Sequence, residues 1–243
     1  MNSYDMQYKK CVLAYIDVLG IRNAFRNPSE CDLLPWIFSL LQSVNQYMVN
    51  RDKECVGFKF KYFSDNVCIY KEVHENDELE SLAILVDIVR GFVVGMTLTH
   101  GYLSRGGITV GELYSDENFI IGKALIEAYN LESKCAITPR VIIDKQYGER
   151  LYKHFLKKEH NLLIRDSDNL FFVNYLEGRQ IKREGYLKRH KDVLEGLFLR
   201  KELEIEARSK VLMSINFHNR CASMWGLEQF KINITDLIER ASI

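Results

Sequence analysis

Residues 56–73, VGFKFKYFSDNVCIYKEV, constrain the fold more than any other stretch of the 243-residue chain. Phe58, Phe60 and Tyr62 alternate with Lys59 and Lys61, the period-two pattern of a half-buried strand. Ser64-Asp65-Asn66 has turn composition, and Val67 to Tyr70 reads as the returning strand. The segment therefore predicts a β-hairpin with an acidic residue at its tip.

The flanking segments place this hairpin in a larger sheet. CVLAYID (11–17) is a short apolar run that predicts a buried strand followed by a tight turn. Helical spacing predicts helices over 32–49, 78–99, 120–134 and 145–158. RGGITVGEL (105–113) reads as a glycine-punctuated strand, and RVIID (140–144) as another. LLIRD and NLFFVNYL read as a last hairpin. Up to residue 144 the order is β-α-β-β-α-β-α-β, which predicts an α+β fold of the ferredoxin-like kind with helices on one face of the sheet. After Gly178 the sequence turns charged and strand-free. The expected division is thus a domain over 1–177 and a helical appendage over 178–243.

Composition narrows the function classes. Lys+Arg and Asp+Glu both number 33, so no basic footprint marks a nucleic-acid partner. Six cysteines are scattered without a CxxC pair or ligand spacing suited to zinc, and the start is polar. These features predict reduced thiols in a cytoplasmic protein. The apolar stretch Leu79 to Leu98 is interrupted by Asp87 and Arg90, which predicts a core-facing helix and no membrane span.

Two carboxylates stand out. Asp17 follows an apolar strand, where a buried charge is costly unless paired or metal-bound. The Val18-Leu19-Gly20-Ile21 stretch behind it would offer free backbone N–H groups suited to phosphate oxygens. Asp65 sits at the hairpin tip. Singly, each is explained as a turn residue; together they point to a site.

On these residues the chain resembles the class III adenylate and guanylate cyclases. AYIDVLGI looks like that family's first strand and turn, FKFKYFSDNVCIY like its central hairpin, RGGITVGEL like its Arg-x-Gly-Ile strand, and IIGKALIEAYNLE like the helix that follows. The four matches fall in family order across about residues 11–144. Arg105-Gly106-Gly107 and Ala128-Tyr129-x-Leu131-Glu132 look more like bacterial cyclase-like proteins of antiviral loci, including the pyrimidine cyclases of the Pycsar type.

The resemblance implies the roles. Asp17 and Asp65, with Val18, would hold two divalent ions, Mg²⁺ or Mn²⁺. Leu19, Gly20 and Ile21 would meet phosphates. Lys59 falls where adenylate cyclases place a base-recognising lysine, and Lys61 on the same strand face competes for that role. Arg105, Arg22, Lys123 and Lys134 could supply positive charge, although the bland reading of each, an ordinary surface residue, is the favoured one. Glu127 and Asn130 lie on the helix that touches ribose and leaving group. The chain also departs from the family: Ile126 stands at the ribose-positioning Asn, Asn130 at the transition-state Arg, and Phe119 at the acidic adenine-reading position.

The implied activity is conversion of a nucleoside triphosphate, UTP or CTP rather than ATP, to a 3′,5′-cyclic nucleotide and pyrophosphate, as an antiviral signal. The alternatives are a degenerate nucleotide- or partner-binding module, or a two-metal enzyme joining nucleotides. The family builds each site from two subunits, which implies a homodimer. Its strand 105–111 and helix 122–134 would face the metal aspartates of the second copy. His218 is assigned no role.

Overall fold

The computed structural model describes residues 7–21, 57–157, 161–177, 180–200 and 204–241. The helix expected over 32–49 and the cation Arg22 lie outside the described residues. The elements are β1 (Lys9–Leu19), β2 (Lys59–Phe63), β3 (Asn66–Glu72), α1 (Glu78–Val94), β4 (Leu103–Ser115), β5 (Ile120–Ile121), α2 (Lys123–Asn130), β6 (Val141–Ile143), α3 (Lys145–Lys157), β7 (Leu163–Arg165), β8 (Phe171–Val173), α4 (Gln180–Phe198), α5 (Ile205–Met224) and α6 (Ile234–Ala241). Helices α1 and α2 each widen at their C-terminal end into a π-helical turn, Gly95–Thr99 and Leu131–Cys135.

The chain is an α+β fold on one mixed sheet of order β2-β3-β1-β4-β6-β8-β7, with β5 paired to β4. Each of the first four strands runs antiparallel to its neighbours among them, and β6 runs parallel to β4. The order β2-β3-β1-β4 is the ferredoxin-like one.

Helices cover both faces of this sheet rather than one, which corrects the sequence expectation. On one face, Val12, Ala14, Ile16, Ile69 and Ile108 pack with Leu82, Val86 and Val89 of α1 and with Leu151 and Phe155 of α3. On the other, Cys11, Leu13, Tyr15, Cys68 and Tyr70 pack with Ala124 and Ala128 of α2. The alternation along β1 sorts even positions to the first face and odd positions to the second. What admits α2 is Gly107: a Cβ there would lie 2.2 Å from the Ala128 carbonyl oxygen and 2.6 Å from Leu131 Cβ. Any larger residue would push the helix off the strand.

Helix α1 with its extension is apolar and long enough to cross a membrane by composition alone, mean hydropathy 1.9. Ten of its residues between Glu78 and Val93 are nevertheless buried, and it is the main helix of the larger core. Leu187 of α4 and Cys221 and Ala222 of α5 join that same core. A third cluster joins Leu194, Phe198, Val211, Ile215 and Leu237 to Leu103, with Leu19 packed against it. The C-terminal helices thus reach the ends of β1 and β4 that lie beside Asp17.

A candidate two-carboxylate site at the ends of β1 and β3

β1 does not stop at Asp17 but runs on to Leu19, so Asp17 is an internal strand residue. It lies opposite Asn66 on β3 and opposite Arg105 on β4. Asp65 occupies the two-residue turn between β2 and β3 and is buried. Its turn partner Ser64 has φ 57°, while Asp65 does not have positive φ. Positive φ at the first turn position alone is what a type II′ hairpin asks for, and it is strained for a serine. The Val18 N–H donates to the Asp65 carbonyl oxygen at 2.9 Å. That bond ties the hairpin tip to the strand end and brings the two aspartates to one end of neighbouring strands. It also corrects the expectation that the N–H groups after Asp17 are free, since that of Val18 is taken.

The carboxylates are held by a polar chain. Tyr15 Oη donates to Asn66 Oδ1 at 2.6 Å, and Asn66 Nδ2 donates to Asp65 Oδ1 at 3.2 Å. Burial raises the Tyr15 phenol well above its ordinary range, and the negative charges of Glu132 and Asp17 push it further the same way. Arg105 Nε donates to Asp17 Oδ2 at 2.9 Å. The same nitrogen lies 2.7 Å from Glu132 Oε1. Nε carries one hydrogen, and it is aimed at Asp17, so Glu132 Oε1 lies against the guanidinium charge without a well-aligned donor. Burial accordingly raises the Glu132 carboxyl above its usual range, against the lowering pull of Arg105. Arg105 is therefore not a free surface cation. Glu132, the buried member of this cluster, goes unassigned when the sequence alone is read.

The remaining candidates lie elsewhere. Ile21 is buried in the larger core, and Gly20 is exposed with φ 96°, a conformation that favours glycine. Lys59 is exposed and lines a cleft of about 480 Å³ with Tyr70, Glu72 and Ser115. It pairs with Tyr70, which pairs with Leu13, so it sits four residues, about 13 Å, along the sheet from Asp17. Lys61 donates to the carbonyl oxygens of Asp116 and Glu117 at 2.7 and 2.8 Å. Glu127 pairs with Lys123 at 3.7 Å on the outer side of α2, and Asn130 closes that helix half-buried. Lys134 is exposed on the turn that follows. Ile126, Phe119 and Tyr129 are exposed. The structure thus brings Asp17, Val18, the Asp65 backbone and Arg105 together and leaves Lys59 about four residues along the sheet from them.

Among the described residues, no group of three or more His, Cys, Asp or Glu side chains could by itself hold a metal ion. Two aspartates at one end of neighbouring strands supply the hard-oxygen donor type that a small cation takes, one or two carboxylates beside its own waters and substrate phosphates. The described cysteines Cys11, Cys68, Cys135 and Cys221 are unpaired.

No family model matches the chain, and no curated protein matches it. Three solved structures are similar to it at a distance. One is the monomeric guanylyl cyclase domain of the RhoGC fusion protein from the aquatic fungus Blastocladiella emersonii. It has 14% identity and TM-score 0.42, over 69% of this chain and 95% of that domain. The adenylate/guanylate cyclase/hydrolase from Silicibacter pomeroyi has 11% identity and TM-score 0.44, over 69% and 95%. The guanylate cyclase domain of RhGC from Catenaria anguillulae, solved with GTP, has 14% identity and TM-score 0.45, over 69% of this chain and 97% of that one.

Proposed function

We propose that the chain is a nucleotide cyclase that closes a nucleoside triphosphate, UTP or CTP, into a 3′,5′-cyclic nucleotide, releasing pyrophosphate. The observation that carries this is the Val18 N–H bond to the Asp65 carbonyl, which couples the two aspartates at one end of β1 and β3. In ring closure the 3′-oxygen attacks the α-phosphorus and gives its proton to solvent, while the α-phosphorus–oxygen bond to the β-phosphate breaks and its electron pair leaves with pyrophosphate. Divalent ions, when bound, would acidify that hydroxyl and neutralise the triphosphate. Asp17 and Asp65 would hold them, with the Val18 carbonyl. Leu19, Gly20 and Ile21 follow in the turn where the phosphates would lie. Since the reaction is intramolecular, positioning and charge neutralisation are most of the protein's task. An antiviral signalling role follows from the resemblance of the 105–107 and 128–132 segments to cyclases of antiviral loci. The unpaired cysteines suit a reducing compartment such as the cytoplasm.

The site would be completed in a homodimer. Exposed Ile126 and Tyr129 on α2 and Phe119 and Ile121 beside it form an uncovered apolar margin on the α2 face, the face that carries Asp17 and Lys59. A two-fold arrangement would set α2 of one copy against the aspartates of the other. Mixing an Asp65→Ala chain with a chain altered on α2 should then restore part of the activity that each lacks. No recovery despite proven mixing refutes the shared site.

A binding module without turnover is favoured by one observation, the ion pair that already occupies Asp17. Incubating the protein with ATP, GTP, CTP and UTP in Mn²⁺ and weighing the products decides between these readings. A cyclic pyrimidine nucleotide is expected. No product from any of the four leaves only the module; linear dinucleotides indicate strand-joining chemistry instead, and cyclic AMP as the dominant product overturns the base preference.

A further inference from the structure

We propose that Arg105 and Glu132 form a charge-exchange device: Arg105 neutralises Asp17 while no cation is bound, and Glu132 takes over Arg105 when a divalent cation claims Asp17. The inference rests on the cation-site reading of Asp17 and Asp65 and adds two residues to it. Three observations carry it. The guanidinium sits between two carboxylates on different elements, 2.9 Å from Asp17 Oδ2 and 2.7 Å from Glu132 Oε1. The Nε hydrogen is aimed at Asp17, and that is the one side-chain hydrogen bond Arg105 donates to a described residue. Glu132, whose side chain is 4% exposed, has an oxygen lacking any hydrogen-bond donor beside this arginine.

A buried carboxylate with an unfilled acceptor is unfavourable, so it needs a reason to be there. If Arg105 served only to satisfy Asp17, Glu132 would be better replaced by an apolar residue. A waiting acceptor explains it. A guanidinium turned from Asp17 toward Glu132 trades one charge-assisted hydrogen bond for another, so its displacement costs little. Without Glu132, the cation would have to expel Arg105 from its sole partner. In this scheme Arg105 is a positioning residue for the cation site. Its location on β4, paired to Asp17 across the ladder, gives the exchange a fixed pivot.

The two side chains then affect cation binding in opposite directions. Mn²⁺ uptake by the full-length chain, measured by calorimetry without nucleotide, reads this without recourse to turnover. Arg105→Gln removes the competitor, and the Mn²⁺ dissociation constant should fall about tenfold, the scale of one charge acting on its neighbour near a protein surface. Glu132→Gln removes the alternative partner, and the constant should rise by a similar factor. Arg105→Lys keeps the charge and should return the constant toward that of the parent. The double variant Arg105→Gln with Glu132→Gln leaves no lone buried charge and guards against unfolding of the single ones. It should bind at least as tightly as the parent. Shifts of the two single variants in the same direction, or a double variant that binds as weakly as Glu132→Gln alone, overturn the exchange while leaving the cation site standing. Parent protein that takes up no Mn²⁺ while Asp65→Ala behaves identically overturns the cation reading, and the exchange with it.

Discussion

The cluster Asp17–Arg105–Glu132 and the chain Tyr175–His190–His218–Phe230 both bury polar groups where helices meet the sheet, but they are satisfied to different degrees. In the second, every ring nitrogen has a partner. His218 Nε2 lies 2.9 Å from the Phe230 carbonyl and must donate to it. His218 Nδ1 then accepts from His190 Nδ1 at 3.1 Å, and His190 Nε2 accepts from Tyr175 Oη at 3.0 Å. One neutral tautomer of each ring satisfies the whole series. It links the end of β8 to α4, to α5 and to the turn before α6. In the first cluster, the Arg105 Nε hydrogen goes to Asp17, and the Glu132 Oε1 acceptor beside it is left over. A completed network holds a structure together. An incomplete one is where a ligand or a rearrangement has room to act.

The contrast predicts opposite signatures. The largest effect belongs to Asp17→Asn, which should lower turnover at least about a hundredfold, as loss of a metal-site group does, while leaving the melting temperature near that of the parent. A loss of stability comparable with that of a core mutation would break the contrast. Next is His218→Leu, which strands the Phe230 carbonyl and His190 and should cost about 3 kcal/mol in urea unfolding, with turnover per folded molecule unchanged. A reduced turnover of the folded fraction would mean that the chain of rings is more than a fastening.

The smallest effect is on acid sensitivity. Burial holds His190 well below its ordinary pKa of 6.5, with the charge of His218 a further lowering cause. Burial lowers His218 too, with Lys191 acting the same way and the Phe230 carbonyl and Glu195 acting oppositely. Tyr175, which faces His190, and Cys221, which donates to Asn174, have their ionised forms disfavoured by burial. Both histidines have depressed folded pKa values, so below about pH 6.5 the unfolded chain binds more protons than the folded one. Their contribution to stability is present above that pH and is lost as pH falls through it toward the lower folded values. The drop in urea midpoint between pH 7 and pH 5 should be smaller in His218→Leu than in the parent. An equal drop in both would assign the acid sensitivity to carboxylates instead.

Much of the sheet is legible in the sequence because its signals are local. The alternation at 58–62, the turn at 64–66 and the apolar run from Cys11 are each read from neighbours in the chain, and the structure has strands at the first and last and a two-residue turn, Ser64-Asp65, between β2 and β3. The helix covering the second face is harder to place. Gly107 signals a close approach, but nothing in RGGITVGEL says which element approaches. The position of Asp17 opposite Arg105 depends on strand register across 88 residues, which no short-range pattern encodes. Glu132 is missed for another reason. It stands four residues after buried Ala128, on the face that meets the sheet, but a carboxylate there reads as an ordinary helix charge until its partner Arg105 is brought to it from β4. His218, given no role from the sequence, is a fastening between helices.

The contact at Gly107 has a mechanical consequence. With the Ala128 carbonyl where a side chain would begin, α2 and β4 meet backbone to backbone, like two planks laid edge to face with no side chain as a spacer. Arg105 is two residues along the same strand. A push on exposed Ile126 or Tyr129 is therefore delivered to the arginine's backbone without being absorbed on the way. Hydrogen exchange should register the strand and the helix as one cooperative unit, opening together or not at all.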